Sequence, residues 1–151
     1  MNGKVVVVTG ASGALGRVVA EAAIKRGARV AGLDHAPSQM AATPDRIDLD
    51  RVDLSDAAQA KKAIDAAAAH FGRLDALINI AGGFTFETVA EGDIQSWQRM
   101  YALNVLTALN ASRAALPRRL GDHPAKRPQR AGDDNDFSVH VRLLRETGSA
   151  P

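Results

Sequence analysis

The chain of 151 residues is 46% hydrophobic and 24% charged with a net charge of +2, which is the composition of a single globular domain. It contains no cysteine, which excludes disulfide bonds and thiolate metal sites and is typical of a reducing compartment. No stretch has the length of a secretory signal core or a membrane span, so we expect a cytoplasmic protein without a membrane partner.

Predicted strands and helices alternate as far as residue 116. The β-branched run Val5 to Thr9 predicts a buried strand, and Ala14 to Arg26 predicts a helix that ends at Gly27. The expected apolar stripe of this helix comprises Leu15, Val18, Val19, Ala22 and Ala23. The later predicted elements are strands at Arg29 to Leu33, around Ile47 to Val52 and at Leu74 to Ile80, a helix capped by Ser55 that ends at Phe71 before Gly72, and a long helix from about Asp93 to Leu116.

This alternation predicts an α/β fold for residues 1–116, with a doubly wound, Rossmann-like parallel sheet in a three-layer αβα arrangement. Residues 117–151 carry the whole excess of positive charge and are rich in proline. We expect them to form a disordered tail with one possible strand at 137–143. This abrupt change in composition predicts that the fold stops after its fourth strand and the following helix. The cause would be a truncation of the coding sequence or a change of its reading frame. The fourth strand would then have an unpaired apolar edge, and we expect marginal stability.

Three glycines spaced three residues apart, Gly10, Gly13 and Gly16, follow the first strand and open the first helix. A phosphate can approach a backbone closely where side chains are absent, and a helix N-terminus offers N–H donors and a favourable dipole. The sequence therefore predicts a turn that binds the phosphates of a dinucleotide. The alternative interpretation is an ordinary glycine-rich turn between a strand and a helix.

Asp34 stands at the end of the second predicted strand, 18 residues after Gly16. A carboxylate at this position can accept hydrogen bonds from both ribose hydroxyls of an adenosine and would repel a 2′-phosphate, which favours NAD over NADP. Arg17 and His35 are close in sequence and would weaken that preference. The alternative is a solvated aspartate at a strand end.

Together these segments resemble the short-chain dehydrogenase/reductase family over about residues 3–116. The segments that carry the resemblance are Thr9-Gly-Ala-Ser-Gly-Ala-Leu-Gly16, Asp34, Val52-Asp53-Leu54, Asn79-Ile-Ala-Gly82 and Leu103-Asn-Val-Leu106. The resemblance implies an oxidoreductase that transfers hydride between NAD(H) and an alcohol or carbonyl substrate. One departure is that Ala14 replaces the middle glycine of the family's commonest turn, and we expect binding to survive this mild change.

The resemblance also implies roles for individual residues. Asp53 would contact the adenine, the segment Asn79 to Gly82 would lie along the cofactor, and Asn104 would belong to the catalytic tetrad. We expect the role of Asn79 to be mainly structural. The complete set of expected cofactor-binding residues is Gly10, Ser12, Gly13, Ala14, Leu15, Gly16, Asp34, Asp53, Leu54, Asn79, Ala81 and Gly82.

The serine, tyrosine and lysine that complete the family's catalytic tetrad have no matching positions. The single tyrosine, Tyr101, is followed four residues later by Val105 rather than lysine, and it shares a helix face with Trp97, so we expect it to pack in the core. The last lysine, Lys126, lies in the proline-rich tail. Two functions therefore remain: an NAD-dependent oxidoreductase, or an NAD-binding fragment that is catalytically incompetent.

Other ligands are not expected. The four histidines show no metal-binding spacing, so we predict no metal site. The basic residues of the tail alternate with acidic ones and lack interleaved aromatics, so we predict no nucleic-acid partner. An exposed helix and the unpaired edge of the fourth strand are the surfaces through which a homo-oligomer would form.

Overall fold

The computed structural model describes residues 1–38 and 40–118, in which strands and helices alternate as the sequence predicts. The possible strand at 137–143 and the rest of the predicted tail after residue 118 lie outside the described residues. The elements are β1 (Val5–Thr9), α1 (Ala14–Lys25), β2 (Arg29–Leu33), β3 (Arg46–Leu49), α2 (Ala57–Phe71), β4 (Ala76–Ile78), α3 (Ile94–Tyr101), a π-helical segment (Ala102–Leu106), α4 (Thr107–Ala115) and a 3₁₀ turn (Leu116–Arg118).

The four strands of the described part form one parallel sheet in the order β3-β2-β1-β4. In the central strand β1, Val5 and Val7 face a core formed with α2 and α4, whereas Val6 and Val8 face a core formed with α1. Because both faces of β1 are covered, its first four residues are all valine. The predicted doubly wound, three-layer αβα arrangement is therefore confirmed.

The face that α1 turns toward the sheet differs from the predicted stripe. The buried residues of α1 are Gly16, Ala20 and Ala23. Leu15 is 62% exposed and Val18 is 63% exposed, so their assignment to the core is wrong. Small side chains face the sheet because this helix packs closely on it, and the larger apolar residues then fall on the outer side.

The cap of α2 also differs from the prediction. Asp56, rather than Ser55, is the N-cap, and its carboxylate accepts hydrogen bonds from the N–H groups of Ala58 and Gln59. Ser55 instead donates its hydroxyl to Asp53. The predicted C-terminus is confirmed, since Gly72 follows Phe71 with a φ of 76°, in the left-handed region that favours glycine.

Two strands are shorter than predicted. β4 covers only Ala76–Ile78 and is half-buried; among the described residues it pairs with β1 alone, so its other edge has no strand partner there. β3 ends at Leu49 because the chain turns away at Arg51, which has a φ of 57°.

The long helix predicted from Asp93 to Leu116 is interrupted. A π-helical turn at Ala102–Leu106 separates α3 from α4, with Thr107 N–H bonded to the carbonyl of Ala102. Tyr101 is 55% exposed and Trp97 is 52% exposed, so the prediction that Tyr101 packs in the core is wrong. The inner face of α4 is instead formed by small residues that lie close to α2.

No helix in the described part of the chain is long and apolar enough to cross a membrane.

A buried carboxylate ties β4 to β1 at the amino end of the sheet. Asp75 Oδ2 accepts the N–H of Val5 at 2.9 Å, and Oδ1 is paired with Lys4 and Arg73. Burial by itself raises the pKa of Asp75, but the bond from Val5 and the guanidinium of Arg73 outweigh it, and the resulting pKa lies below its ordinary value.

This lowered pKa predicts acid sensitivity. A depressed native pKa contributes stability that is fully present above the unfolded value of about 3.9 and is lost as the pH falls through the native value. We expect Asp75→Asn to lower the free energy of unfolding by about 1–3 kcal/mol at neutral pH and by less near pH 3. Urea denaturation at both pH values measures this, and an equal loss at both would contradict the role of the ionised carboxylate.

Candidate functional site

The carboxyl ends of β1, β2 and β4 meet at one edge of the sheet. The buried hydroxyl of Thr9 accepts hydrogen bonds from the N–H groups of Ile80 (2.9 Å) and Ala81 (3.1 Å). The N–H of Gly10 donates to the carbonyl of Leu33 at 2.8 Å. This edge includes the place where β1 separates β2 from β4 and the chain order of the sheet reverses, which is where ligands bind in open α/β sheets.

Two of the three glycines in the turn after β1 are required by close approach. Gly10 has a φ of 69°, and a Cβ there would lie 2.8 Å from the backbone nitrogen of Ala81. A Cβ on Gly16 would lie only 2.0 Å from the carbonyl oxygen of Gly10. Gly13 has a φ of −72°, which any residue adopts. Glycine at this position therefore serves to leave the surface above the turn free of a side chain.

The N-terminus of α1 is open. Its N-cap, Gly13, offers no side chain, and the first turn contains no acid. By contrast, α2 and α3 begin with Asp56 and Asp93, whose carboxylates accept from the free N–H groups of the first turn. The residues Gly13, Ala14 and Leu15 are exposed, so the uncapped donors of α1 are accessible to an anion such as a phosphate.

Asp34 links the end of β2 to the glycine turn. Its Oδ2 accepts the N–H of Ser12 at 2.8 Å, and its Oδ1 accepts the N–H of Ala36 at 2.9 Å. Its backbone is held as well, because Asp34 N–H donates to Leu49 and its carbonyl accepts from Val52. The carboxylate is half-buried and each oxygen keeps acceptor capacity, so it can receive further hydroxyl donors beside the turn.

Asp53 lies on the neighbouring segment after β3. Its Oδ1 accepts the Ser55 hydroxyl at 2.6 Å and the Ser55 N–H at 2.9 Å. The hydroxyl bond from Ser55 lowers the pKa of Asp53 more than burial raises it, so the carboxylate stays ionised at neutral pH. Leu54 is 4% exposed and belongs to the core, while its carbonyl accepts from the side-chain amide of Asn110. A direct cofactor contact by Leu54 stays a prediction.

The segment Asn79 to Gly82 continues from β4 along the same edge. The amide of Asn79 donates to the hydroxyl of Ser112 at 3.1 Å, which joins the end of β4 to α4. The mainly structural role expected for Asn79 stays a prediction. Ala81 is half-buried against Gly10, and Gly82 is exposed.

Asn104 lies in the π-helical segment and uses both ends of its side-chain amide. Nδ2 donates to the carbonyls of Gly83 and Met100, both at 2.9 Å, and Oδ1 accepts the N–H of Gly83 at 3.2 Å. A Cβ on Gly82 would lie 2.7 Å from Asn104 Oδ1, so the preceding glycine permits this approach. Asn104 therefore braces the π-helical turn against the loop that leaves β4.

The structure brings together most of the predicted set and adds residues that the sequence reasoning did not assign. Thr9, Asn110 and Ser112 hold the segments that carry the predicted residues, through the hydrogen bonds described above. The position of Thr9 at the end of a buried strand was a usable signal. Asn110 and Ser112 gave none, because a polar residue in a helix usually faces solvent. No group of three metal-ligating side chains occurs within residues 1–38 and 40–118.

The parallel sheet, the glycine turn and the acid after β2 define a Rossmann-like α/β protein. The family model described as short chain dehydrogenase matches residues 4–125. The chain therefore belongs to the short-chain dehydrogenase/reductase family, which confirms the resemblance seen in the sequence.

Individual proteins to which the chain is similar agree with this family assignment. The chain is 36% identical over 112 residues to D-threitol dehydrogenase of Mycolicibacterium smegmatis, covering 70% of this chain and 43% of that protein. It is 37% identical over 123 residues to an uncharacterized oxidoreductase of Methylorubrum extorquens, covering 76% and 50%. A solved short-chain dehydrogenase/reductase from Serratia marcescens superposes with a TM-score of 0.69 at 32% identity, covering 78% and 53%. The chain thus spans about half the length of the relatives it matches.

Proposed function

We propose that this chain binds NAD in the crevice formed by the glycine turn, Asp34 and the segment after β4. The observation that carries the proposal is the combination of an uncapped α1 N-terminus with a carboxylate bonded to the same turn, through Ser12 N–H. The first feature supplies N–H donors and a dipole for the pyrophosphate, and the second supplies acceptors for the ribose.

The fit of the residues to the cofactor is specific at three points. Gly10 and Gly16 permit the tight turn that keeps side chains away from the phosphates. Asp34 would accept the ribose hydroxyls and, being negative, would repel a 2′-phosphate, which supports NAD over NADP. Asp53, whose pKa is lowered by the Ser55 hydroxyl, would supply the acceptor for the adenine amino group.

The proposed chemistry is that of the family, transfer of a hydride between NAD(H) and the carbon of an alcohol or carbonyl substrate. Bound NAD supplies the nicotinamide that accepts or donates the hydride. Asn104 braces the π-helical turn beside this site. Its side-chain amide donates hydrogen bonds to the carbonyls of Gly83 and Met100 and so fixes carbonyl groups that would hold a water. The proposed partners are the dinucleotide and a small substrate, and the proposed location is the cytoplasm. Assembly into a homo-oligomer through β4 and the exposed helix also stays a proposal.

The second candidate is NAD binding without catalysis by this chain. It is favoured by the sequence, which has no Tyr-x-x-x-Lys element to move the proton that accompanies the hydride. An unassisted phenol with a pKa near ~10 is a poor acid–base catalyst at neutral pH, and the single tyrosine has no lysine four residues later. We favour this second candidate for the chain of 151 residues acting alone.

Titration with NAD followed by a turnover assay tests both candidates. We expect saturable NAD binding by calorimetry. With NAD and a panel of secondary alcohols, including sugar alcohols, we expect no enzyme-dependent NADH absorbance. Turnover would establish the oxidoreductase activity and reject the second candidate, whereas the absence of NAD binding would reject both.

Replacing the acid at the end of β2 tests the cofactor preference. We expect Asp34→Ser to weaken NAD binding about tenfold or more, because the ribose acceptors are lost, and to narrow the gap between NAD and NADP. Calorimetric titration with each dinucleotide measures the change. Asp45→Ser, at an exposed position before β3, is the matched control and should bind NAD like the original chain.

A further inference from the structure

A buried ion pair lies behind the ribose end of the proposed NAD site. Arg46 and Asp48 on β3 have side chains that are only 3% and 10% exposed. The guanidinium grips the carboxylate through two nitrogens, with Nε 3.0 Å from Oδ2 and Nη2 3.1 Å from Oδ1. Nothing in the sequence pattern singles out this pair, and the proposed function does not use it.

The carboxylate of Asp48 lies over β2 at a position where β2 has no side chain. Gly32 is its cross-strand partner in the sheet register. A Cβ on Gly32 would lie 2.2 Å from Asp48 Oδ1, so only glycine at this position lets the carboxylate cross the strand. Asp34 is two residues further along the same strand direction, which places the ion pair next to the ribose-binding acid.

Ser38 connects the ion pair to the loop that starts at Asp34. Its hydroxyl donates to Asp48 Oδ2 at 2.7 Å and accepts the N–H of Met40 at 3.1 Å. A bond to an ionised, buried acceptor is stronger than one between neutral groups. The far end of the five-residue stretch from Asp34 to Ser38 is therefore anchored on the sheet.

The near end of this stretch determines how the Asp34 carboxylate points. Oδ1 of Asp34 accepts the N–H of Ala36, in the middle of the stretch, and Oδ2 accepts the N–H of Ser12 in the glycine turn. If Ser38 loses its anchor, Ala36 can move and the carboxylate loses one of the two donors that orient it. The ribose acceptors are then less well preorganised.

We propose that Ser38, held by the buried Asp48–Arg46 pair, is a positioning residue that presents Asp34 to the adenosine ribose and so sustains selectivity for NAD over NADP. This inference rests on the proposed NAD site. It assigns to Ser38 an effect on the ribose end alone, exerted through Asp34 and not through contact with the cofactor.

The test measures NAD and NADP affinities by calorimetry for Ser38→Ala. We expect NAD to bind about fivefold more weakly, and NADP to lose less affinity, because a loosened Asp34 repels the 2′-phosphate less. Ser38→Thr, which keeps the hydroxyl, should restore the original ratio. Thr43→Ala is the matched control in the same connection, since the Thr43 hydroxyl makes no hydrogen bond to another described residue, and it should leave the ratio unchanged.

A double variant separates positioning from general stability. In the Asp34→Ala background, Ser38→Ala should have no further effect on the NAD affinity, whereas a purely structural role would add its loss in either background. Ser38→Cys, of similar size but with a weaker donor, provides a second variant if Ser38→Ala lowers the melting temperature. An unchanged NAD/NADP ratio in a chain that binds NAD would overturn this inference alone, and no NAD binding by the original chain would overturn the proposed function as well.

Discussion

Asp48→Ala is expected to lower the free energy of unfolding by about 3–5 kcal/mol, the largest effect we anticipate for a single substitution in this chain. The variant would leave the Arg46 guanidinium buried without its counter-charge. Arg46 Nη1 is already buried without a hydrogen-bond partner in the described part of the chain, so the side chain depends on Asp48 for its compensation. Urea denaturation monitored by circular dichroism measures the loss.

The matched control removes both charges. Arg46→Met with Asp48→Ala leaves no unpaired charge in the interior, and we expect it to be more stable than Asp48→Ala alone. Because two packed groups are lost in the double variant, a result in which it is the less stable of the two would show that packing, and not the unpaired charge, governs this position.

Gly16→Ala is the second large effect we expect. The added methyl group would lie 2.0 Å from the carbonyl oxygen and 2.7 Å from the carbonyl carbon of Gly10, and both atoms belong to the backbone. Helix α1 must therefore move away from the turn, which we expect to cost about 3 kcal/mol in the free energy of unfolding and to abolish measurable NAD binding.

Gly13→Ala provides the comparison within the same turn. A Cβ there would lie 3.2 Å from the Gly10 oxygen, and the φ of −72° is allowed for alanine. We expect a loss of less than about 1 kcal/mol in the free energy of unfolding. Equal destabilisation by the two substitutions would contradict the close approach of α1 to the turn as the reason for Gly16.

Much of the fold could be predicted from local patterns. The continuous β-branched run at Val5 to Thr9 indicated a strand covered on both faces, and it is the central strand β1. The glycine after Phe71 indicated the end of α2, and Gly72 has the expected left-handed backbone. These predictions were confirmed because each depends on the period of burial or on the backbone freedom of one residue.

Other features could not be predicted because they depend on contacts between distant segments. Leu15 and Val18 looked like core residues, but the close packing of α1 on the sheet turns them outward. Helical periodicity predicted one helix through residues 93–116, whereas Asn104 bridges to the Gly83 backbone at a π-helical turn. The helical pattern of residues 93–116 carries no information about Gly83, the distant residue that Asn104 contacts at this turn.

The sequence by itself determined the family, the order of the strands and helices through residue 116, and the positions of the glycine turn after β1 and of the acid after β2, Asp34. These follow from spacing along the chain, which is a local property. Only the tertiary structure decided what orients that acid. Ser12 donates its N–H to Asp34, Ser38 donates its hydroxyl to Asp48, and the register of β2 and β3 places Asp48 opposite Gly32. Hydrogen bonds between segments separated in the chain need the folded geometry before they can form.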